Sequence, residues 1–231
     1  MNNKPSAIKA LPINQSPLPK VIFLDAVGTL FGVKGSVGEV YSAIASNWGV
    51  EAAAADLNRA FIASFKASPP SIFPEISQQK LELQDAEFKW WMNIARNTFA
   101  QVGAIDRFVN FHGFFAELYE HFATDASWYL YEDVIPTLNN WQNKGVELGI
   151  VSNFDTRLDR VLKSLNLKPF FQSITISSVA GTAKPDSQIF MLALAKHNCE
   201  PHQAWHIGDS LTEDYYGAKA VGIESFWLNR A

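Results

Sequence analysis

Asp25, the pair Ser152–Asn153, Lys184 and the pair Asp209 and Asp214 are the residues of this 231-residue chain that could do chemistry together. Each lies at or shortly beyond the end of a short apolar run. Asp25 follows "VIFL" (21–24), Ser152 ends "VELGIVS" (146–152), Lys184 lies past "SITIS" (173–177), and Asp209 follows "AWHIG" (204–208). In an open parallel sheet, ligands bind beyond the carboxyl ends of the strands. If these runs are neighbouring strands, three carboxylates, a hydroxyl, an amide and an ammonium converge at one rim. Clustered carboxylates raise one another's pKa, and a hard divalent cation relieves the repulsion. Mg²⁺ commonly takes one or two carboxylates plus phosphate oxygens, and a lysine adds a compact positive charge for a phosphate. Two positions past Asp25, where phosphate chemistry would want a second acid, stands Val27.

The runs are rich in β-branched and aromatic residues, and "IESFWL" (223–228) is a fifth of the same kind. From residue 132 onward they alternate with helical patterns such as "DTRLDRVLKSLN" and "DSQIFMLALAKH". That alternation predicts an α/β fold, a Rossmann-like parallel sheet with helices on both faces. From Phe31 to about Ser127 strand character is sparse. Three segments there, "AADLNRAFIASF", "DAEFKWWMNIARNTFAQV" and "IDRFVNFHGFFAELYEHF", space apolar residues at three and four, as amphipathic helices do. The gap from Asp25 to Ser152 far exceeds the roughly 30 residues of a βαβ unit, so an all-helical insert is expected after the first strand. The expected organisation is a tail over 1–19, a core over 20–33 and 128–231, and a helical cap over 34–127.

Composition narrows the partners. The formal charge is −4 and no basic block occurs, which argues against nucleic acid and anionic membranes. No apolar run is long enough to span a bilayer, and the N-terminal stretch lacks the apolar centre of a secretory signal. The single cysteine, Cys199, cannot form an internal disulfide, which fits a reducing, cytoplasmic setting. A monomer acting on a small phosphorylated or otherwise activated substrate is the expectation.

The four motifs "VIFLDAVGTL", "GIVSNFD", "GTAKPDSQIF" and "HIGDSLTEDYYGAKAVG", in that order, resemble those of the haloacid dehalogenase superfamily of hydrolases. The resemblance spans residues 20–231, with the helical insert in the place of the family's C1 cap. "SNFD", together with valine in the second-acid position, is most similar to the rhythmically-expressed-gene-two-like branch. The resemblance implies that Asp25 is a nucleophile forming an aspartyl intermediate. It implies that Asp25, Asp209 and the Val27 backbone carbonyl hold Mg²⁺, with Asp214 in support. It also implies that Ser152 and the Asn153 backbone N–H bind the transferring group, and that Lys184 neutralises Asp25 and the substrate.

Family phosphatases usually carry a second Asp that protonates the leaving oxygen and then activates water, and Val27 does neither. General acid–base catalysis is worth roughly 10²–10⁴-fold, so a phosphatase built this way is slow or restricted to leaving groups that need no proton. Three other readings stay open. A dehalogenase also lacks the second acid, but its last motif generally lacks the metal-binding "GD" that Asp209 preserves. A phosphonoacetaldehyde hydrolase would use a cap lysine as a Schiff base, for which Lys66 is the candidate. A regulatory module would bind Mg²⁺ and a phosphorylated ligand without turnover. Among the other polar residues, Asp155 reads as a helix cap, Glu213 as a helix N-terminal charge, and His206 as a sheet residue with no evident partner. Trp90, Trp91 and the phenylalanines of 108–122 read as cap core.

Overall fold

The structure is a computed structural model that describes residues 18–230; most of the expected tail, residues 1–17, lies outside them. The first strand, β1 (Val21–Leu24), is buried at every position, as an apolar run with both faces covered must be. After it, β2 (Phe31–Val33) leads into four helices: α1 (Val37–Asn47), α2 (Ala54–Ala67), α3 (Lys80–Gln101) and α4 (Phe111–His121). β3 (Trp128–Leu130) follows and pairs antiparallel with β2.

The remaining chain alternates helix and strand: α5 (Val134–Asn143), β4 (Glu147–Ser152), α6 (Leu158–Ser164), β5 (Ser173–Ile176), α7 (Ser177–Ala180), α8 (Ser187–Lys196) and β6 (Ala204–Gly208). A π-helical turn, Leu211–Tyr216, runs into α9 (Gly217–Ala220) before the edge strand β7 (Glu224–Trp227). The five-stranded sheet has the order β5-β4-β1-β6-β7, and every pair is parallel.

Alternate residues of the central strands feed two separate cores. Ile22, Leu24, Leu148 and Ile150 pack with Val134, Leu138, Leu158 and Leu162 of α5 and α6. Val21, Phe23 and Val151 pack on the other face with Ile189, Phe190 and Ala193 of α8 and Ala218 of α9. This is the two-residue period of a strand read out as packing. The inserted helices bury a third cluster of their own, with Tyr41, Leu57, Phe99, Phe114 and Leu118 inside it. A capping box at Ser36 and Glu39 starts α1.

Three features depart from the sequence expectation. Phe31–Val33 is a strand, paired with Trp128–Leu130 across the whole insert. The segment 105–122 is not one helix: a 3₁₀ turn, Ile105–Arg107, precedes α4, and the Asn110 side chain caps α4 by accepting from the Gly113 N–H at 2.9 Å. Val109, placed on the apolar face by its spacing, is fully exposed. Helix α1, which the sequence reading did not single out, packs against α2.

Candidate active site

The strand order places the polar ends together. β1 lies between β4 and β6, so Asp25, Ser152 and Asp209 emerge side by side at the carboxyl rim. Asp25, Val27, Ser152, Asn153, Lys184, Asp209 and Asp214 all line one cavity of about 580 Å³. Every site residue read from the sequence is in it. The helices complete its walls, with Phe65 and Lys66 of α2 and Trp90 and Trp91 of α3.

Lys184 is the centre of the charge arrangement. Its side chain is buried, and Nζ donates to Asp25 Oδ1 at 2.6 Å and to Asp214 Oδ1 at 2.5 Å. Burial alone would lower its pKa, but Asp25 and Asp214 more than offset that and hold it above the usual lysine value. The Asn153 side chain fixes the loop that carries it. Asn153 Oδ1 accepts from the Lys184 N–H at 2.8 Å, and Nδ2 donates to the Lys184 carbonyl at 2.9 Å. The same Nδ2 donates to Glu213 Oε2 at 3.1 Å. Glu213, expected to be only a helix-end charge, is therefore part of the cavity wall, and burial raises its pKa.

Asp214 sits on the π-helical turn and is buried. Burial opposes its charge, but the His206 hydrogen bond and the Lys184 ammonium prevail and hold it well below the usual carboxylate range. Its oxygens accept from His206 Nε2 at 2.9 Å and from the Ser210 N–H at 3.0 Å. His206 thus has the partner the sequence did not reveal. Its own pKa is lowered, first by burial, so a neutral ring donating from Nε2 is the consistent state.

Asp209 is the open member of the acid cluster. Partial desolvation, then the charges of Asp25 and Asp214, push its pKa up to about 6. One carboxylate oxygen from each of Asp25, Asp209 and Asp214 lies within 4.8 Å of the others. Gly28 makes that closeness possible. Its φ is +85°, and a Cβ there would lie 2.2 Å from Asp209 Oδ2. Glycine alone takes that conformation at little cost and leaves the space. Oxygen-only donors, clustered closely enough to raise a carboxyl pKa, fit a hard divalent cation.

A second polar cluster joins the inserted helices to the core. Asp155 is buried and takes a bidentate ion pair from Arg157, at 2.9 Å from Nε and 2.6 Å from Nη2. It also accepts from Trp91 Nε1 of α3 at 2.6 Å. Glu87 of α3 accepts from the Thr156 N–H at 3.0 Å and from the Thr156 hydroxyl. Arg157 lies over the Tyr119 ring of α4, 3.8 Å from its centroid. Asp155 keeps a local capping role, its Oδ1 accepting the Arg157 N–H at 2.9 Å at the turn ahead of α6, and the same acid also ties strand end to inserted helix. Sequence reasoning missed this cluster. The one available signal was Arg157 standing two places after Asp155 in "FDTR", the spacing at which a guanidinium can fold back on a carboxylate.

A parallel α/β sheet with an acid cluster and a buried lysine at its carboxyl rim is the architecture of a hydrolase class that comparison with known proteins identifies. The chain belongs to the haloacid dehalogenase-like hydrolase family, whose model matches residues 19–222. It is 34% identical over 207 residues to haloacid dehalogenase-like hydrolase domain-containing protein 3 of Bos taurus, covering 90% of this chain and 80% of that one. It is 28% identical over 216 residues to the rhythmically expressed gene 2 protein of Drosophila melanogaster, covering 89% and 81%. This agrees with the branch its "SNFD" motif resembles. Among solved structures, a HAD phosphatase from Thermococcus onnurineus shares the fold, with a TM-score of 0.60 at 24% identity over 91% of this chain and 86% of that one.

Proposed function

We propose that this hydrolase is a Mg²⁺-dependent phosphatase that works through an aspartyl-phosphate at Asp25 and favours leaving groups that depart without a proton. The observation that carries the reading is the buried Lys184 ammonium, shared between Asp25 and Asp214 on the floor of the acid-lined cavity. A phosphate held there meets a fixed positive charge next to a carboxylate nucleophile. Asp25, Asp209 and the Val27 carbonyl would hold the metal, with Asp214 in support. When bound, Mg²⁺ would neutralise the phosphate oxygens and balance the acid cluster.

The residues divide the work. Ser152 and the Asn153 N–H orient the phosphoryl group. Asp25 attacks phosphorus, its oxygen forms the new P–O bond, and the ester P–O bond breaks with its electron pair leaving on the departing oxygen. Lys184 offsets the charge as it moves from carboxylate to phosphoryl oxygens. Water then attacks the acyl phosphate, returning the Asp25 carboxylate and releasing inorganic phosphate. Neither step finds an acid or base at position 27, so both rest on positioning and electrostatics, which dominate the catalysis of phosphoryl transfer. The domain reading accompanies this one: 20–33 and 128–231 act as the core, and 34–127 act as a cap that shields the cavity. Among the described residues no helix is long and apolar enough to cross a membrane. We place the protein in the cytoplasm as a monomer.

Lys66 favours a second reading, because it lines the same cavity as Asp25 and so could meet an aldehyde substrate as a Schiff base. One experiment separates the readings. A phosphate-ester panel with Mg²⁺ is run on wild type and Asp25→Asn, with intact-mass detection of phosphorylated protein and borohydride trapping with phosphonoacetaldehyde. Phosphatase chemistry predicts turnover and a phosphoryl adduct, both lost in Asp25→Asn. A reduced lysine adduct at position 66 would replace it with the Schiff-base mechanism. Ligand binding with no turnover would make the chain a binding module.

A further inference from the structure

Beside the acid-lined cavity, beneath the inserted helices, lies a second one of about 250 Å³. Val27, Phe65, Trp91, Asn153 and Phe154 line both and form their junction. Beyond the junction the wall is Val37, Phe61, Leu118, Phe122 and Trp128. Among the described residues Arg157 is the one ionic residue lining it, and Asp155 already holds that guanidinium at 2.6 Å and 2.9 Å. Tyr41 and Tyr119 line it too, and neither hydroxyl hydrogen-bonds to another described residue.

Ligand pockets commonly measure roughly 300–1,000 Å³, so this space suits a fragment of a substrate. A sugar, polyol or charged group would lose its hydration here with few partners to replace it. A flat ring would meet aromatic edges and faces on several sides. We infer that the second cavity is a leaving-group pocket for a one-ring or fused two-ring aromatic alcohol, which makes aryl phosphates the substrate class. This rests on the phosphatase reading above and narrows it. Two separate observations meet in it. The lining is largely aromatic, with its guanidinium already paired to Asp155, and a valine, Val27, stands among the residues of the junction. A carboxylate at position 27 would lie at the edge of that apolar wall, where ionisation is costly. Valine continues the wall, and an aryl oxide is a leaving group that departs without the missing acid. The Tyr41 and Tyr119 hydroxyls give a ring substituent something to hydrogen-bond.

The test separates the pocket from the chemistry. The probes are 2-naphthol, 2-naphthyl phosphate and acetyl phosphate, the last a good leaving group without a ring. Naphthol binding is read from tryptophan fluorescence, since Trp91 and Trp128 line the cavity. The variants Val37→Phe and Val33→Phe, both at residues that line the cavity, each fill part of it, with circular dichroism to confirm folding. Wild type is expected to show saturable quenching. In both variants the binding weakens, and the ratio of kcat/KM for naphthyl over acetyl phosphate falls about tenfold or more. Absence of saturable naphthol binding to wild type overturns the pocket whether or not a variant folds. An unchanged naphthyl-to-acetyl ratio in both folded variants overturns it too, even with acetyl phosphate hydrolysed. Naphthol binding with neither ester hydrolysed keeps the pocket and overturns the phosphatase.

Discussion

Val27 and Asp209 set opposite demands on the same cavity. At Val27 a side chain that could carry a proton is missing, and the proposed chemistry is restricted by it. Val27→Asp is therefore expected to raise turnover of alkyl phosphates by about 10²-fold, with a smaller effect on aryl esters. Steady-state rates across esters of graded leaving-group acidity check this, and an unchanged alkyl rate would mean that another group supplies the proton. Asp209 is a carboxylate held close to two others, with its pKa raised from the ordinary carboxylate range to about 6. The folded protein without metal therefore holds that proton more tightly than the unfolded chain does. The resulting stabilisation is complete below the ordinary carboxylate pKa and is lost as pH rises through 6. Asparagine does not titrate. Metal-free wild type should thus lose stability relative to Asp209→Asn between pH 4 and pH 7.5, and Mg²⁺ should restore it in wild type alone. Urea titrations with and without Mg²⁺ measure both effects, and a wild-type-to-variant difference that stays flat with pH would refute the repulsion argument.

At the scale of elements, what the sequence disclosed depended on the kind of signal each segment carries. β1 and β6 were legible to their end residues, because a short run that is apolar, or apolar but for His206, and closed by Asp or Gly-Asp has few other readings. β2 and β3 were not. Each is three residues long and finds its partner only across the inserted helices, so neither carries a periodicity of its own. The 105–122 segment has helical spacing throughout, but Asn110 caps its chain into α4 and cuts the pattern there. Asp25, Ser152 and Asp209 were legible because each sits at the end of a strand, where the fold rule itself points, while Lys184 and Asp214 lie further along, past α7 and on the π-helical turn. The Asp155–Arg157–Trp91 cluster was not. Asp155 and Arg157 share one loop, but Trp91 lies on α3, and only folding shows that this residue, read as cap core, spends its indole N–H on a core carboxylate. His206 likewise had a partner eight residues away that a strand–turn reading could not place.

Across the whole molecule, the inserted helices and the sheet meet at charges buried from water. Removing one member of a buried pair strands the other, at a cost of about 3–5 kcal/mol, whereas replacing both with apolar groups is often near neutral. Arg157→Met should therefore destabilise the protein by that amount, and Asp155→Leu combined with Arg157→Met should recover a large part of it. Urea denaturation of the two variants decides the matter. A double variant no more stable than the single would show that the pair's worth lies in its contacts with Trp91 and Tyr119, not in its charge.

The segment from Ser152 to Arg157 has a double attachment. At one end Asn153 grips the main chain of Lys184, and at the other Asp155 and Thr156 grip Trp91 and Glu87 of α3. The Lys184 loop and helix α3 are consequently wired in series through six residues. Helix α3 cannot lift without tugging on the strand end that steadies the Lys184 loop, so under the proposed mechanism admission of solvent and slackening of the site's charges would be one mechanical event.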